Sequence, residues 1–268
     1  MLFRSLDKRL IHEGLSESAR NLISKLEIHD QIGSTNNYLM EMARTDIATG
    51  HVCLAEQQIS GKGRRGRSWI SPFGSNIYMS IFWHYPLDLA ELSGLSLVSG
   101  LAVARSLEAE GLQGIGLKWP NDIVWNRQKL AGMLLEVIGE QGGPGRVVLG
   151  LGLNTGMTMD QAAAIDQPWV DLNRIPGGKK ISRNRLVVRL LNELTDTLCQ
   201  FGGTGNQSLV DDWKHYDVHY GKRVVLNTSS RSIEGVHRGI DNSGAIQIQI
   251  GNKIETFHGG EISLREFP

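Results

Sequence analysis

The periodicity of apolar residues changes near residue 218, and this change limits the folds open to the chain. Before that point, helical and strand-like stretches alternate: apolar residues repeat at helical spacing over 186–198, whereas residues 76–83 alternate as in a strand. After it, only short alternating segments separated by turns remain, as in a small β-barrel. The sequence therefore predicts a mixed α+β domain over residues 1–217 and a small β domain over residues 218–268.

Each part can be divided into elements. The first part is predicted to form strands at 51–57, 76–83, 115–118, 122–126, 130–138 and 146–154, and helices at 89–110, 186–198 and 207–217. The second part is predicted to form strands at 222–228, 231–240, 245–250 and 253–258. Two more short helices flank a strand near the N-terminus. The tight connection between 122–126 and 130–138 is typical of an antiparallel hairpin, so a mixed sheet is expected.

Composition excludes several classes of protein. The chain of 268 residues carries 28 Lys and Arg against 28 Asp and Glu, so no overall field draws it to DNA or to an anionic membrane. Cys53 and Cys199 lack the spacing of a disulfide framework or a zinc site. No apolar run approaches the length of a membrane span, and residues 1–10 lack the apolar core of a signal peptide. We therefore expect a cytoplasmic protein with neither a membrane nor DNA as partner.

A glycine- and arginine-rich segment follows the first long strand. From Gly61 to Trp69, three glycines alternate with four cations. Glycine lets the backbone turn its N–H groups toward an anion, and arginine adds a planar fork of donors for carboxylate or phosphate. The segment is not a Walker A loop, because no Gly-Lys-Ser/Thr closes it. A solvated loop or a nucleic-acid contact is the alternative, but residues 71–76 lead straight into a strand, which favours an anion-binding loop inside a folded domain.

A second group of polar residues lies on the predicted hairpin, where Lys118-Trp119-Pro120-Asn121-Asp122 precedes Lys129-Leu130-Ala131-Gly132. Proline breaks the strand and directs Asn121 and Asp122 into a cleft, while Gly132 beside Lys129 leaves space for a ligand. Asn-Asp after proline is also a common turn, so this motif alone leaves a purely structural interpretation open.

A third motif, Gly150-Leu151-Gly152-Leu153-Asn154, ends a strand. It is no dinucleotide fingerprint, because Thr155 stands where the third glycine should be and no helix pattern follows. Small residues at a strand end still suit the close approach of a nucleotide. Trp169 could stack on a base, although a tryptophan is more often a core or surface residue.

Taken together, these motifs resemble the ordered motif set of biotin protein ligases. The residues that carry the likeness are Gly33-Ser34-Thr35-Asn36, Gln58, the Gly61–Trp69 loop, Lys118–Asp122, Lys129–Gly132 and Gly150–Asn154, and it extends to residue 265. The resemblance implies an α+β fold, in which a mixed-sheet domain akin to class II aminoacyl-tRNA synthetases precedes an SH3-like β-barrel. It also implies an ATP-dependent ligase, which activates biotin as biotinyl-5'-AMP with release of pyrophosphate and transfers it to a lysine of a biotin carboxyl carrier protein.

The resemblance further implies a role for individual residues. Contacts to biotin would come from Ser34, Thr35, Asn36, Gln58, Gly63, Arg64, Arg65, Lys129 and Gly132. Contacts to ATP or the adenylate would come from Lys62, Arg67, Trp69, Asn121, Asn154 and Trp169. Arg64, Lys129 and Asp122 would be catalytic, Mg²⁺ would accompany ATP, and no protein metal site is expected. Glu261 and Arg265 would reach from the barrel toward ATP or the carrier.

Partners and alternatives follow from the same comparison. The carrier is expected to be that of acetyl-CoA carboxylase, and a homodimer through sheet edges stays open. Family members that act as repressors carry a winged helix before the first motif, and only a short lead precedes it here, so no DNA partner is expected. Gly33 and Lys62 depart from the family pattern; Lys62 keeps its charge but loses bidentate geometry, so Arg64 is favoured as the essential contact. The alternatives are a lipoate ligase-like acyltransferase and a non-catalytic nucleic-acid-binding module.

Overall fold

A computed structural model describes residues 5–45, 47–139, 143–202, 207–228, 231–259 and 262–267. Its helices are α1 (Lys8–Gly14), α2 (Glu17–Leu22), α3 (Thr35–Met42), α4 (Leu95–Ala109), α5 (Arg183–Gln200) and α6 (Gln207–Tyr216). Its strands are β1 (Lys25–Ile32), β2 (His51–Gln58), β3 (Asn76–Tyr85), β4 (Ile115–Lys118), β5 (Asp122–Trp125), β6 (Gln128–Ile138), β7 (Gly145–Asn154), β8 (Arg223–Asn227), β9 (Ser232–Ile240), β10 (Ile246–Ile250), β11 (Lys253–Phe257) and β12 (Ser263–Glu266).

The larger sheet is mixed and has seven strands. Their order is β1-β2-β3-β7-β6-β5-β4, with β1 parallel to β2 and the other neighbours antiparallel. The segments 118–122 and 128–132 therefore lie on adjacent strands near one border of the sheet. The polar motifs of the sequence meet because the hairpins place them there.

Alternation along β3 explains how the sheet is covered. Ile77, Met79 and Ile81 point into the large core shared with α4 and α5, whereas Phe82 packs with Leu39 of α3 on the opposite face. Successive residues of a strand face opposite sides, and each fully buried aliphatic side chain contributes about 1.5–3 kcal/mol relative to exposure. The sheet is thus held between helices, and the N-terminal end of α3 is fixed against it.

A second, C-terminal sheet is formed by strands β8–β12, in the order β11-β10-β9-β8-β12. All of its pairings are antiparallel, as in the predicted SH3-like domain. Strand β12 returns to the larger domain, so that residues 262–265 line a cleft there. The predicted boundary at 217/218 lies between the end of α6 and the start of β8, and it stays a proposal.

The predicted fold class is confirmed, and two local predictions need correction. The helix predicted at 89–110 begins only at Leu95, because Asp88 caps a short 3₁₀ turn over 89–92 instead. Strand β12 and helix α1 were not predicted. In the part of the chain that the structure describes, no helix has the length and apolar character needed to cross a membrane.

Candidate active site

A broad cleft of about 700 Å³ lies between the larger sheet, the Gly61–Trp69 loop and β12. The predicted site residues all line it: Ser34, Thr35, Asn36, Gln58, Lys62, Gly63, Arg64, Arg65, Arg67, Trp69, Asn121, Asp122, Lys129, Gly132, Asn154 and Trp169. Segments far apart in the chain thus converge on one place. Their contacts separate side chains that face the cleft from those that hold its walls.

One end of the cleft is built at the start of α3. The N–H and the hydroxyl of Thr35 donate to Gln58 Oε1 at 2.9 and 3.1 Å. Gln58 Nε2 in turn donates to Ser71 Oγ at 3.2 Å, and Ser71 donates to Trp69 O at 2.9 Å. Ser34 is the N-cap of α3, and its side chain accepts a hydrogen bond from the backbone N–H of Asn37. This end therefore presents neutral donors and acceptors, and Ser71, which sequence reasoning missed, links it to the arginine loop.

Asn36 has its amide engaged inside the protein. Its Nδ2 donates to Leu134 O at 3.2 Å and to Glu136 Oε2 at 2.8 Å, and its Oδ1 accepts from Ser80 at 2.6 Å. A Cβ on Gly150 would lie 2.1 Å from Asn36 Oδ1. Asn36 therefore joins α3 to the sheet, and its contact to biotin stays a prediction. The sequence signal for this network is Ser80, a polar residue in the middle of a mostly apolar strand.

The Gly61–Trp69 loop is a closed hairpin. The N–H of Gly63 donates to Arg67 O at 2.7 Å, and that of Trp69 donates to Gly61 O at 2.9 Å. Arg65 sits in the left-handed region with φ of 60°, a conformation that costs about 1–2 kcal/mol for a residue other than glycine. The fold thus holds the cations of this loop over the cleft.

Trp69 covers two glycines that face each other on β6 and β7. Gly132 pairs with Gly152 in the sheet, and a Cβ on Gly152 would lie 2.4 Å from Cε2 of the indole. A Cβ on Gly132 would lie 3.1 Å from Lys129 Nζ and 3.3 Å from Trp69 Cζ3. These two side chains therefore lie close to Gly132, which itself lines the cleft, and its contact to biotin stays a prediction.

The hairpin of β5 and β6 carries an ion pair in the cleft. Lys129 Nζ lies 2.7 Å from Asp122 Oδ1, and each side chain is 18% exposed. Arg64 Nη1 donates to Asn121 Oδ1 at 3.2 Å, while Asn121 Nδ2 donates to Met133 O at 2.5 Å. Burial lowers the pKa of the Arg64 guanidinium, and the charge of Asp122 opposes that shift. The loop is thereby connected to the hairpin that faces it.

Two further cations lie in the cleft. Lys118 had no assigned role in the sequence prediction, and Arg265 was expected only to reach toward ATP or the carrier. Lys118 is half-buried; burial lowers the pKa of its amine, Asp122 opposes the shift, and Lys129, Arg265 and Arg67 add to it. Arg265 lines the cleft from β12, as expected of the barrel, whereas Glu261 lies outside the described residues. Lys118 could have been singled out by its place at the end of a buried strand, two residues before Pro120.

Asn154 and Trp169 form the wall behind Lys129. Asn154 Nδ2 donates to Val170 O at 3.1 Å and lies 3.4 Å from Lys129 O. The segment of Trp169 runs beside Lys129, whose N–H donates to Pro168 O at 2.9 Å. The guanidinium of Arg174 lies 4.2 Å from the centroid of the Trp169 indole. The side-chain amide of Asn154 therefore binds backbone carbonyl groups of the wall. The indole of Trp169 lines the cleft, and the guanidinium of Arg174 lies beside it.

The charge of the lining is strongly positive. Its cations are Lys62, Arg64, Arg65, Arg67, Lys118, Arg127, Lys129 and Arg265, against the carboxylates of Asp122 and Asp166. Among the described residues, no group of three or more His, Cys, Asp or Glu side chains could hold a metal ion. The arrangement suits a ligand with a neutral polar end near Thr35 and anionic groups near Lys129.

Two family models match the chain. Residues 28–154 match the Biotin/lipoate A/B protein ligase family, and residues 219–265 match the Biotin protein ligase C terminal domain. The fold and the cleft thus define a ligase of the biotin and lipoate class.

Relatives narrow the class. The Bifunctional ligase/repressor BirA of Escherichia coli is 38% identical over 87% of this chain and 72% of the relative. The Biotin--[acetyl-CoA-carboxylase] ligase of Mycobacterium tuberculosis is 31% identical over 96% and 95%. The biotin protein ligase of Aquifex aeolicus, solved with biotin and ATP, is 25% identical with a TM-score of 0.77 and covers 91% of this chain and 100% of its own. This chain belongs to the biotin protein ligase family.

Proposed function

We propose that this enzyme joins biotin to the AMP part of ATP, releasing pyrophosphate, and then transfers biotin from the adenylate to a lysine of a carrier protein, releasing AMP. The observation that carries the proposal is the convergence of Arg64, Lys118 and Lys129 on a cleft whose other end holds the neutral Thr35–Gln58 network. Biotin, with which the Aquifex aeolicus relative was solved, matches this division of the cleft. It has a polar ring system at one end and a carboxylate at the other.

In the first step, a biotin carboxylate oxygen bonds to the α-phosphorus of ATP while the bond to the β-phosphate oxygen breaks. Bringing the two anions together costs about 4 kcal/mol at 4 Å in a medium of effective dielectric 20. Arg64 and Lys129 offset this repulsion from opposite walls of the cleft. Their charges also stabilise the transition state, because they are fixed before the reactants arrive.

The ring system of biotin is assigned to the start of α3. Ser34, Thr35 and Gln58 offer hydroxyl and amide groups there, and Ser34 and Thr35 are both buried. A neutral ligand forms hydrogen bonds with such groups at little electrostatic cost. The carboxylate end then extends toward Lys129, whose amine is held by Asp122 at 2.7 Å.

The mixed anhydride must be protected from water until the carrier arrives. The Gly61–Trp69 loop is the cover that we propose, with Gly63, Arg64 and Arg65 over the acyl phosphate and Lys62 and Arg67 toward the nucleotide. Trp69, Asn121, Asn154 and Trp169 are assigned to the adenylate side. We expect biotin or adenylate to reduce protease cleavage in this loop, and equal cleavage with and without ligand would contradict this cover.

In the second step, the neutral lysine amine attacks the acyl carbon, the carbon–oxygen bond to AMP breaks, and a proton leaves the amine. Asp122 is the proposed acceptor or orienting group, since it is a carboxylate of the cleft beside the Asn121 turn. Its ion pair with Lys129 connects this step to the first one.

Magnesium is proposed to enter with ATP. The donor set fits a cation that is bound by one or two carboxylates together with substrate phosphates, since Asp122 lies in the cleft and the described residues form no metal-binding cluster. Asp122 would hold it, and the bound ion would neutralise part of the phosphate charge.

One assay tests the proposal. The protein is incubated with ATP, magnesium and either biotin or lipoate, and pyrophosphate release is followed; we expect release with biotin. Release with lipoate alone would favour the lipoate ligase alternative. Transfer is then measured with the biotin carboxyl carrier domain of acetyl-CoA carboxylase, the acceptor suggested by the name of the Mycobacterium tuberculosis relative.

A further inference from the structure

A turn of the C-terminal sheet is seated directly behind the Lys118–Asp122 segment. This turn, residues 241–244, joins β9 to β10. Trp119, whose side chain is 2% exposed, donates its indole N–H to Gly244 O at 3.1 Å. Trp119, which directly precedes the Pro120–Asp122 segment, is thus hydrogen-bonded to a turn of the C-terminal sheet.

The 241–244 turn is held by hydrogen bonds of its own, independent of Trp119. Asp241 Oδ1 accepts from the N–H of Ser243 at 2.9 Å, from its hydroxyl at 2.6 Å and from the N–H of Ala245 at 3.0 Å. Ser93 Oγ, just before α4, donates to Ser243 O at 2.9 Å. Gly244 has φ of +82°, and a Cβ there would lie 2.7 Å from a methyl group of Leu97. The turn is therefore both preformed and tightly seated.

A buried pair fixes the same region from the other side. His237 Nε2 lies 2.6 Å from Asp217 Oδ2, with both side chains 0% exposed. Trp213 donates its indole N–H to the same oxygen at 3.2 Å, and the N–H of Val218 donates to Leu117 O at 3.1 Å. Strand β4, which ends at Lys118, is thus anchored to the C-terminal sheet next to the place where Trp119 begins.

We propose that Trp119 is a positioning residue through which the 241–244 turn sets the placement of Asn121 and Asp122. This inference rests on the proposed function. Asn121 Oδ1 accepts a hydrogen bond from Arg64, and Asp122 forms an ion pair with Lys129. A displacement of the 118–122 segment would therefore move the partners of two cations at once. A misplacement of about 1 Å can cost about 100-fold in rate.

The biotin end of the cleft does not use this connection. Thr35 and Gln58 form hydrogen bonds with each other, and these lead on to Ser71 and Ser80 rather than to Trp119. The proposal therefore separates two quantities that a general loss of stability would change together: the rate of adenylate formation falls far more than the affinity for biotin, because the proposed ring contacts of biotin lie at α3 and only its carboxylate end reaches Lys129.

The test compares two tryptophans of one hairpin region. Trp119→Phe removes the indole donor to Gly244, whereas the control Trp125→Phe removes a donor to Gln113 O, 3.0 Å away at an exposed site outside the cleft lining. For Trp119→Phe we expect the single-turnover rate of pyrophosphate release to fall about tenfold, equal to about 1.4 kcal/mol of activation free energy. We expect Kd for biotin, measured by calorimetry, to change less than about twofold, which is about 0.4 kcal/mol. Trp125→Phe should match the wild type in both.

Asp241→Ala provides a second variant that leaves the larger domain unchanged. It removes the acceptor that orders the turn, and the proposal expects the same loss of rate with unchanged biotin affinity. If Trp119→Phe does not fold, this variant alone decides. Wild-type rates in the two variants, or equal losses of rate in Trp119→Phe and Trp125→Phe, would overturn the inference while leaving the proposed function intact. A wild-type protein that neither binds biotin nor releases pyrophosphate would instead refute the proposed function.

Discussion

Lys129 Nζ lies 2.7 Å from Asp122 Oδ1 across the neighbouring strands β5 and β6. The pair is partly buried in a cleft that otherwise carries mostly cations. The carboxylate therefore holds the ammonium group in place before any anion enters. In the proposed mechanism, Lys129 turns to the anionic reactants when they bind, which leaves Asp122 to accept the proton of the attacking amine.

Asp122→Asn should separate the two half-reactions. The amide keeps the size of the side chain but cannot take up a proton, so we expect transfer to the carrier to slow by about 100-fold or more, as for loss of a general base. Adenylate formation should fall less, since Arg64 and Lys129 remain. Rapid-quench measurement of each step tests this. A larger loss in pyrophosphate release would show that Asp122 acts mainly at the ATP and metal step and would contradict its role as the proton acceptor.

Arg64→Gly should release the adenylate prematurely. Arg64 is held toward the cleft by its bond to Asn121 at 3.2 Å, and glycine would remove both the charge and the cover. We expect several-fold more biotin label on bulk protein and stray amines, with more hydrolysis. Arg44→Gly is the control, because Arg44 is an exposed arginine outside the cleft lining. Equal labelling by the two variants would refute the retention role.

Lys118→Met should weaken the binding of ATP. A lost charge-assisted hydrogen bond of about 1.5–3 kcal/mol predicts a rise of roughly tenfold or more in KM for ATP. Because burial lowers the pKa of Lys118, its charge is lost at a lower pH than that of an ordinary lysine. KM for ATP should therefore rise with alkaline pH earlier in the wild type than in the variant. Lys179→Met, at an exposed lysine, is the control, and an unchanged KM in Lys118→Met would exclude Lys118 from the ATP site.

Much of the site could be predicted because motif residues lie at strand ends and turns that the hydrophobic pattern locates well. Asp122 and Lys129 are an example: a tight hairpin brings them onto adjacent strands. The close approach of Trp69 to Gly132 could not be predicted in this way, since the indole comes from a loop more than fifty residues earlier in the chain.

The sequence also could not predict which polar side chains have their hydrogen bonds taken up inside the protein. Asn36 has the chemistry of a ligand-binding residue, and only the fold reveals that Ser80, Leu134 and Glu136 occupy its amide. Strand β12 is short and reads Ser-Leu-Arg-Glu, so its pattern lacks the apolar alternation that marks a strand. It forms because β8 offers an unpaired edge.

Glu27→Gln should reduce stability in a pH-dependent manner. Burial alone would raise the pKa of Glu27, but hydrogen bonds from Lys25, His51 and Tyr38 outweigh it and lower the pKa from 4.5 to about 2. A lowered folded-state pKa stabilises the fold above the unfolded-state value, and this contribution is lost as pH falls from about 4.5 toward about 2. We expect a loss of about 1–3 kcal/mol at pH 7. Denaturant titrations should show the gap to the wild type closing over that range, and a gap independent of pH would contradict the assignment.

Gly152→Ala should displace Trp69 and with it the stem of the arginine loop. The new methyl group would lie 2.4 Å from Cε2 of the indole, well inside van der Waals contact, so the ring must move. Such overpacking costs about 1–3 kcal/mol, and the displaced ring should weaken the binding of a non-hydrolysable analogue of biotinyl-5'-AMP more than that of biotin, whose proposed ring contacts lie at α3. Calorimetry with the analogue and with biotin measures this. Gly202→Ala, where a Cβ would meet nothing within 4 Å, is the matched control. If both variants bind the analogue equally well, the Trp69–Gly152 contact has no part in holding the adenylate.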